Sequence, residues 1–461
     1  MSETLSRDLL DLSAAELAEA VATRKVSALE LTDQAIARIE ARDGPINAVV
    51  VRDFDRAREA AKAVDAAVAR GERAPLMGVP MTVKESHDVA GLPSTWGAEM
   101  FKDYVAAADG VAVARLKAAG AVILGKTNVP PMLSDWQSNN PIYGRTVNPW
   151  DPTRSPGGSS GGAAAALAAG MIPLEFGSDI GGSIRVPAAF CGVYGHKPSH
   201  GLVPSRGHAP AGMTGGPVPL AVVGPLARSA ADLDLALSVT AGPDVPDSKA
   251  YRLDLPAPRH ARLADHRVLI LGELPGVDLD SEVRGALEAL AGKLEGLGAK
   301  VVRGSDRLPD FAKARGTYMG LLTTAMNRRQ AGAAPISAFD WLDLIDAQVA
   351  VCRQWGAVFD DFDVVLTPTF QTVAYPHTTE APDKRTLTFD GGPHPYFDGL
   401  AYPSLALLPN LPATAFPAGF TKAGLPIGLQ AIGPYLEDRT AIGFAGLVER
   451  EFGGFRAPPP L

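Results

Sequence analysis

The chain has 461 residues, of which 46% are hydrophobic and 20% charged, and its formal net charge is −8. This composition supports a large buried core and argues against global disorder and against the broad basic face of a nucleic-acid-binding protein. Two cysteines, Cys191 and Cys352, exclude a disulfide framework and a four-cysteine zinc site. The N-terminus lacks the regions of a signal peptide and no run predicts a membrane span, so we expect a cytoplasmic protein.

The N-terminal part of the chain predicts helices. Residues 6–42 have the pattern of two amphipathic helices, and each contains a capping box, "SAAE" at 13–16 and "SALE" at 27–30. The run "INAVVV" (46–51) predicts a strand, and the segment after it predicts a helix that ends at Gly71.

From residue 75 to 240 the chain is rich in glycine and proline, with short apolar runs such as "GVPMTV", "AVIL" and "MIPLEFG". This pattern predicts buried strands joined by functional loops. Residues 266–303 predict a strand, a helix and a strand; helices follow, then the strand "DVVLTPT". Residues 376–400 predict a long irregular loop, and two late strands precede a closing helix. Interleaved strands and helices indicate an α/β fold.

One stretch matches a phosphate-binding motif by letter only. "GAVILGKT" (120–127) fits G-x-x-x-x-G-K-[ST], a motif that needs a strand before the loop and a helix after it. Here a helical run comes first, "AVIL" is itself a strand, and prolines follow. We therefore interpret Gly120 as the end of a helix and Lys126 as a residue at a strand end.

A second stretch, "GGSSG" (157–161), fits the nucleophile elbow G-x-S-x-G. An elbow needs a strand directly before it, but a loop with three prolines precedes this one, and no later histidine stands out by context. Neither S-x-x-K nor H-E-x-x-H occurs. A penicillin-binding type of serine acylation and a metal site are therefore not supported, and no cofactor is predicted.

Residues 175–199 contain a candidate nucleophile. Gly181 and Gly182 precede Ser183 and allow a sharp turn, so that backbone amides can point together at one spot beside the serine oxygen. Acyl transfer needs such amides for the oxyanion of its tetrahedral intermediate, and one donor typically contributes about 3 kcal/mol. On these residues alone, a glycine bulge with a structural serine fits equally well.

A serine nucleophile also needs a base. Lys84 closes the apolar run "GVPMTV", so we expect its stem to be buried. Burial lowers the pKa of a lysine because it disfavours the charged form. An ordinary solvated lysine is the alternative that these residues leave open.

The segment from Pro156 to Pro198 resembles the signature of the amidase signature family of serine hydrolases. Its most specific stretch is "GGSSGG" followed by "GSDIGGSIRVPAAFCGVYGHKP", and "GVPMTVKE", "GKTNVPPMLSDWQSNNPIYG" and "PAGFTKAGLPIGLQAIG" resemble further blocks. The resemblance implies a single α/β domain with a mixed twisted β-sheet sandwiched between α-helices. Its parts are N-terminal helices (1–72), a signature core (75–240), a variable region (241–400) and C-terminal strands with a helix (401–461).

The resemblance implies a Ser–Ser–Lys triad. Ser183 is the nucleophile, Ser159 the bridging serine and Lys84 the base. Ser159 would take the proton of Ser183 and hand it to Lys84, which would return it by the same path to the leaving amine. The expected oxyanion hole consists of the amides of Ile180, Gly181, Gly182 and Ser183. In the family a cis peptide bond precedes the bridging serine, and Gly158 is compatible with one.

Further residues are expected around this triad. Ser160 would hydrogen-bond within the glycine loop, and Asp179 and Arg185 would brace it. The residues expected to line the substrate pocket are Leu133, Ser134, Trp136 and Gly158, with Trp136 as a plain core residue the alternative. Glu85 follows Lys84 where aspartate is frequent in the family, so it could alter the pKa of that lysine.

The family includes amidases, carbamate hydrolases and the glutaminase subunit of tRNA-dependent amidotransferases. The "SSLDQ"-like run of that subunit is absent from residues 208–229, and no charged pair for a glutamine zwitterion is evident. We therefore expect a free-standing hydrolase of apolar or aryl amides, carbamates (urethanes) or esters, with no nucleic-acid or membrane partner; a homodimer is left open. The alternatives are a non-catalytic relative and the glutaminase subunit of such an amidotransferase.

Overall fold

The computed structural model describes residues 9–213, 218–327 and 332–461. The helices are α1 (Ala14–Ala22), α2 (Ala28–Ile46), α3 (Phe54–Ala69), α4 (Val111–Ala118), α5 (Gly161–Ala168), α6 (Arg185–Cys191), α7 (Ala230–Thr240), α8 (Ser281–Gly296), α9 (Phe311–Asn327), α10 (Ala338–Asp361), α11 (Ala401–Leu407) and α12 (Asp438–Phe452). The strands are β1 (Val49–Arg52), β2 (Pro80–Lys84), β3 (Val122–Thr127), β4 (Asn139–Asn140), β5 (Gly144–Arg145), β6 (Leu174–Asp179), β7 (Tyr194–Lys197), β8 (Val222–Ala227), β9 (Arg267–Ile270), β10 (Lys300–Val302), β11 (Val364–Pro368), β12 (Thr386–Phe389), β13 (Gly392–Pro395), β14 (Ala413–Phe420) and β15 (Pro426–Ile432).

A large mixed sheet organises the molecule. Eleven strands of the described ranges form it, in the order β1-β3-β2-β6-β8-β7-β14-β15-β11-β9-β10. Strand β2 lies between β3 and β6 and runs parallel to both, whereas β8 is antiparallel to β6. The carboxyl ends of β2 and β6 therefore meet at one edge of the sheet, and this is where the candidate site forms.

The sheet separates two hydrophobic cores. Successive residues of a strand point to opposite faces. Along β9, Val268 and Ile270 enter one core with Leu237, whereas Leu269 enters a second core with Trp355. Both faces of the sheet are thus covered, which confirms the predicted single-domain α/β fold with a mixed sheet between helices.

The N-terminal helices begin where their capping boxes predict. The Ser13 hydroxyl accepts a hydrogen bond from the Glu16 amide, and the Glu16 carboxylate accepts one from the Ser13 amide. Ser27 and Glu30 repeat the arrangement at α2. The first residues of the predicted helical segment, 6–8, lie outside the described residues.

The structure also agrees with the rejection of the phosphate-binding motif. Gly120 follows the end of α4 with φ of +92°, and the residues after it enter β3 directly. Lys126 is a fully buried residue of that strand. No phosphate-binding loop forms in residues 120–127, all of which are described.

One predicted loop is wrong in part. Within residues 376–400, β12 and β13 form an antiparallel hairpin in which Phe389 pairs with Gly392. The turn between them is Asp390-Gly391, with φ of +49° and +79°. Asp-Gly is a preferred sequence for the two-residue turn of a hairpin, because both central residues need positive φ.

Candidate active site

Lys84 is the last residue of β2, and its side chain is fully buried. Its Nζ donates hydrogen bonds to Ser159 Oγ at 2.7 Å and to Ser178 Oγ at 2.9 Å. Burial lowers the pKa of Lys84 to about 7, although the negative charges of Asp179 and Glu175 oppose the shift. A substantial fraction of this amine is therefore neutral at neutral pH and able to accept a proton.

Ser159 lies in a tight loop directly before α5. The peptide bond between Gly158 and Ser159 is cis. A Cβ atom at Gly158 would lie 2.3 Å from the carbonyl oxygen of Asp135, so no larger residue fits without a backbone shift. Ser155 holds the start of the loop, since its hydroxyl accepts from the Gly157 amide and donates to the Trp136 carbonyl. Ser159 is thus held close to Lys84 by backbone packing.

Ser183 lies in the turn between β6 and α6. Gly182 has φ of +93°, and a Cβ atom there would lie 2.7 Å from Val186 Cγ2. The carbonyl of Ser183 accepts a hydrogen bond from the Ser160 amide at 3.2 Å, which joins this turn to the loop of Ser159. The structure thus places Ser183, which is 5% exposed, beside the loop that carries Ser159, whose hydroxyl contacts Lys84.

Asp179 and Arg185 organise the turn around Ser183. The Asp179 carboxylate accepts from the amides of Gly182 (2.8 Å) and Ile184 (3.1 Å), and it pairs with Nε and Nη2 of Arg185. Burial alone would raise the pKa of Asp179, but the charge and hydrogen bonds of Arg185 hold it below its usual value. Because the Gly182 amide donates its hydrogen bond to Asp179, this amide stabilises the turn.

Trp136 packs against the same turn. Its Nε1 donates to the carbonyl of Gly181 at 3.0 Å. Its ring packs edge-on against the rings of Phe370 and Tyr396, with 4.9 Å between the ring centroids in each pair. Trp136 is buried in one of the two cores and also contacts the site. Its position is thus compatible with both of the interpretations made from the sequence.

The other predicted pocket and loop residues differ in their surroundings. Leu133 is partly exposed, and its backbone is in the left-handed region with φ of +60°. Ser134 is exposed, and its hydroxyl donates to the carbonyl of Pro131. Ser160 is buried, and its hydroxyl donates to the carbonyl of Ser178 in β6 at 3.4 Å. Ser160 therefore links the loop to the sheet, in addition to the backbone contact with Ser183.

Sequence reasoning missed three residues beside the site. Ser178 accepts from Lys84, Tyr318 donates from its hydroxyl to the carbonyl of Ile180 at 2.9 Å, and Glu175 lies on the strand next to β2. Ser178 could have been found, because two neighbouring parallel strands end at the same edge of a sheet. Tyr318 belongs to α9, and nothing in its own segment points to the site.

The histidines near the site contact groups other than the candidate serines. His87 contacts the carbonyl of Gly177, and His208 contacts Ser86. Across residues 9–213, 218–327 and 332–461, no hydrogen bond joins a histidine to Ser159 or Ser183, which disfavours the nucleophile-elbow interpretation. The same ranges contain neither a cluster of metal-ligating side chains nor a helix long and apolar enough to cross a membrane.

Comparison with known proteins gives consistent full-length matches. The family model described as Amidase matches residues 30–345 and 320–442. A relative from Moorella thermoacetica, named as a subunit of glutamyl-tRNA(Gln) amidotransferase, is 34% identical over 98% of this chain and 99% of its own. A bacterial aryl acylamidase of the amidase signature family has a similar solved structure, with TM-score 0.81 and 28% identity over 96% of each chain.

A further solved structure is an inhibitor-bound complex from work on an unexpected vestigial protein complex and the origins of an s-triazine catabolic enzyme. It has TM-score 0.83 and 30% identity, and the match covers 97% of this chain and 100% of that one. The large mixed sheet with flanking helices is thus the fold of amidase signature enzymes.

These comparisons correct two predictions. The prediction of a free-standing hydrolase is wrong, because full-length relatives have the name of an amidotransferase subunit. The exclusion of a nucleic-acid partner is wrong, because that name includes a tRNA. Net charge averages over the whole surface and therefore does not exclude RNA contact through a local patch or a partner subunit. Aryl acylamidase and urethanase specificities are likewise not supported.

The missing "SSLDQ"-like run was weak evidence for that prediction, because it concerns one short stretch, whereas the relative from Moorella thermoacetica matches 98% of this chain. The family model, by contrast, spans most of the chain, and the serine segments that resemble the family signature meet in one site. The chain is therefore an enzyme that acts on carbon–nitrogen bonds and belongs to the amidase signature family.

Proposed function

We propose that the chain is the amide-hydrolysing subunit of a tRNA-dependent amidotransferase. In this role it releases ammonia from the side-chain amide of glutamine, and partner subunits use the ammonia to amidate glutamyl-tRNA(Gln) in the cytoplasm. The full-length relatives that carry the name of an amidotransferase subunit support the role. The contact of 2.7 Å between Lys84 Nζ and Ser159 Oγ is the observation that supports the chemistry.

Acylation begins at Ser183 in this proposal. Its Oγ attacks the amide carbon while Ser159 takes its proton and passes its own proton to Lys84. The tetrahedral intermediate then collapses, the carbon–nitrogen bond breaks, and the proton returns from Lys84 through Ser159 to the leaving nitrogen. Ammonia leaves and an ester on Ser183 remains. Water attacks this ester by the same relay, which releases the carboxylic acid and restores Ser183.

The turn around Ser183 provides the oxyanion site in this mechanism. We assign the developing negative charge to the amides of Ile180, Gly181 and Ser183, since the Gly182 amide donates to Asp179. The carbonyls of Ile180 and Gly181 accept from Tyr318 and Trp136, which holds these peptide groups in place. A preformed arrangement of this kind stabilises the transition state without reorganisation during the reaction.

A reactive glutamine analogue tests the substrate and the nucleophile together. The protein is treated with a diazo-ketone analogue of glutamine, digested and mapped by mass spectrometry. We expect one adduct, on Ser183, whose formation glutamine slows by competition. The variant Ser183→Ala should remain unlabelled. Labelling of Ser159 in place of Ser183, or labelling that glutamine does not slow, would contradict the proposal.

The second test addresses the tRNA-dependent reaction. The chain replaces its relative in a preparation of the Moorella thermoacetica amidotransferase, and glutamine-dependent formation of Gln-tRNA(Gln) is measured. With Ser183→Ala we expect this activity to disappear while amidation with added ammonium chloride persists. Absence of labelling by the glutamine analogue, combined with no glutamine-dependent amidation, would reject the proposed role.

A further inference from the structure

A buried glutamate lies on the same face of the sheet as Lys84. Strand β2 pairs with β3 and β6, and the register places Thr82 opposite Glu175 and Lys84 opposite Thr127. Thr82 and Lys84 are two residues apart, so their side chains share a face. The carboxylate oxygen Glu175 Oε1 accepts hydrogen bonds from Thr127 Oγ1 at 2.6 Å and from Thr82 Oγ1 at 3.3 Å. The carboxyl group of Glu175 therefore contacts Thr127, the residue opposite Lys84, on the face of the sheet that carries Lys84.

The surroundings of Glu175 leave it without a cationic partner of its own. The side chain is fully buried, and within the described ranges no lysine or arginine forms an ion pair with it. Its second oxygen, Oε2, is buried without a hydrogen-bond partner in the described structure. Burial raises the pKa of Glu175 to about 8, and the charge of Lys84 acts in the opposite direction. The two groups therefore stabilise each other's charged forms in a site that excludes water.

We propose that Glu175 is a positioning residue of the proton relay: it is the buried acidic partner that sets the pH at which Lys84 takes up a proton. This inference rests on the proposed function, in which Lys84 is the base. When Lys84 accepts the proton of Ser159, an ammonium ion forms away from water. The ammonium in turn favours the charged form of Glu175, and the resulting carboxylate stabilises the ion without touching the substrate.

Other charged or titratable groups also lie near Lys84. Asp179, at the end of the same strand as Glu175, likewise favours the charged form of Lys84, but its carboxylate is held in the ion pair with Arg185. The imidazoles of His87 and His208 are neutral, because burial lowers the pKa of His87 to about 3 and that of His208 well below its usual value. Lys126 lies on β3 and is directed to Pro93 and Ser94.

Glu85 provides a matched control. It is also a buried glutamate and follows Lys84 in the chain, but it lies in the turn after β2, outside the strand. Its carboxylate accepts from the amides of Thr95 at 2.6 Å and Trp96 at 2.9 Å. The sequence suggested Glu85 as the neighbour that alters Lys84, whereas the structure assigns this part to Glu175.

The experiment compares Glu175→Gln with Glu85→Gln. A fluorophosphonate labels Ser183 in the full-length protein, and its second-order rate constant is measured from pH 5 to 10. The acidic limb of the profile reports the deprotonation of Lys84. Because glutamine cannot become a carboxylate beside the ammonium, Glu175→Gln removes this stabilisation, and we expect the limb to move to lower pH by about 1 unit. Glu85→Gln should leave its midpoint in place.

A second variant covers the case in which Glu175→Gln fails to fold. Thr127→Val removes a donor from the carboxylate but keeps the side-chain volume, so the carboxylate form becomes less stable. We expect a smaller shift of the limb in the same direction. If Glu175→Gln folds and its acidic limb is unchanged, the inference is overturned. If Glu175→Gln does not fold, an unchanged limb in Thr127→Val overturns it. An equal shift of the limb in Glu85→Gln would also overturn it.

The variant Lys84→Ala distinguishes failure of the proposed function from failure of the inference about Glu175. If labelling of Ser183 in Lys84→Ala keeps the wild-type rate and pH profile, Lys84 is not the base and the proposed chemistry fails. If Lys84→Ala abolishes fast labelling but Glu175→Gln leaves the limb unchanged, the chemistry stands and the role of Glu175 fails.

Discussion

Asp179 and Arg185 form a fully buried ion pair directly beside the candidate nucleophile, with Nε and Nη2 of the guanidinium donating to separate carboxylate oxygens. The same carboxylate holds the amides of Gly182 and Ile184. The pair is therefore the support of the turn that carries Ser183. A buried pair is costly to break, because the remaining charge is left without compensation.

We expect Arg185→Met to lower the free energy of unfolding by about 3–5 kcal/mol, since Asp179 is then buried without its partner. Denaturant titration at pH 7 measures this loss. The double variant Asp179→Asn with Arg185→Met should recover part of it, because no uncompensated charge remains. Equal stability of the single and double variants would show that the ion pair does not determine the cost.

The ion pair also predicts a pH dependence of stability. The folded pKa of Asp179 is below its unfolded value, so its contribution is present above the unfolded pKa of about 3.9 and is lost as the pH falls through the folded pKa. Asp179→Asn should flatten the loss of stability between pH 5 and pH 3. Thermal melts across this range, with Asp234→Asn as the control for a surface pair, measure the difference.

The buried amine of Lys84 predicts a second rise of stability with pH, in the alkaline range. Its pKa falls from 10.5 to about 7 on folding, so between these values the unfolded chain binds more protons and stability rises with pH. We expect Lys84→Met to be more stable than the wild type at pH 7 and to lose most of this rise. Denaturant titrations at pH 7 and pH 9 test it; an equal rise in both proteins would contradict burial of an ionisable amine.

Catalysis should follow the neutral form of the same group. With the pKa of Lys84 at about 7, kcat/KM for glutamine hydrolysis should fall on the acidic side of neutrality, and Lys84→Arg should lose this activity because arginine stays protonated. Steady-state rates from pH 5 to 9 test the prediction. A wild-type limb near pH 4 or near pH 10 would disagree with it.

Glycine at position 158 is required by space. A Cβ atom there would lie 2.3 Å from the carbonyl oxygen of Asp135 and 2.9 Å from Trp136 Cα, so we expect Gly158→Ala to displace Ser159 and reduce activity at least about 100-fold. Gly44→Ala is the matched control, because its Cβ would meet nothing within 4 Å. Labelling of Ser183 and thermal melts compare the two variants.

The segments that form the site could be identified from the sequence alone. Capping boxes placed the starts of α1 and α2, and the glycine-flanked serines with Lys84 indicated serine acyl transfer through a family resemblance. These signals are local, because a cap or a sharp turn depends on residues within a few positions. The turn at Asp390-Gly391 is a local signal of the same kind, although the pattern of residues 376–400 predicted a loop.

Tertiary structure decided what surrounds those segments. That Glu175 shares a face of the sheet with Lys84, that the Gly182 amide donates to Asp179, and that Tyr318 reaches Ile180 depend on strand register and on contacts between distant parts of the chain. A lysine at the end of an apolar run is solvated or buried according to how neighbouring strands cover it, and only burial lowers its pKa toward neutrality. The sequence by itself thus determined which residues and turns were present, whereas the packing of the sheet decided which of them contact one another.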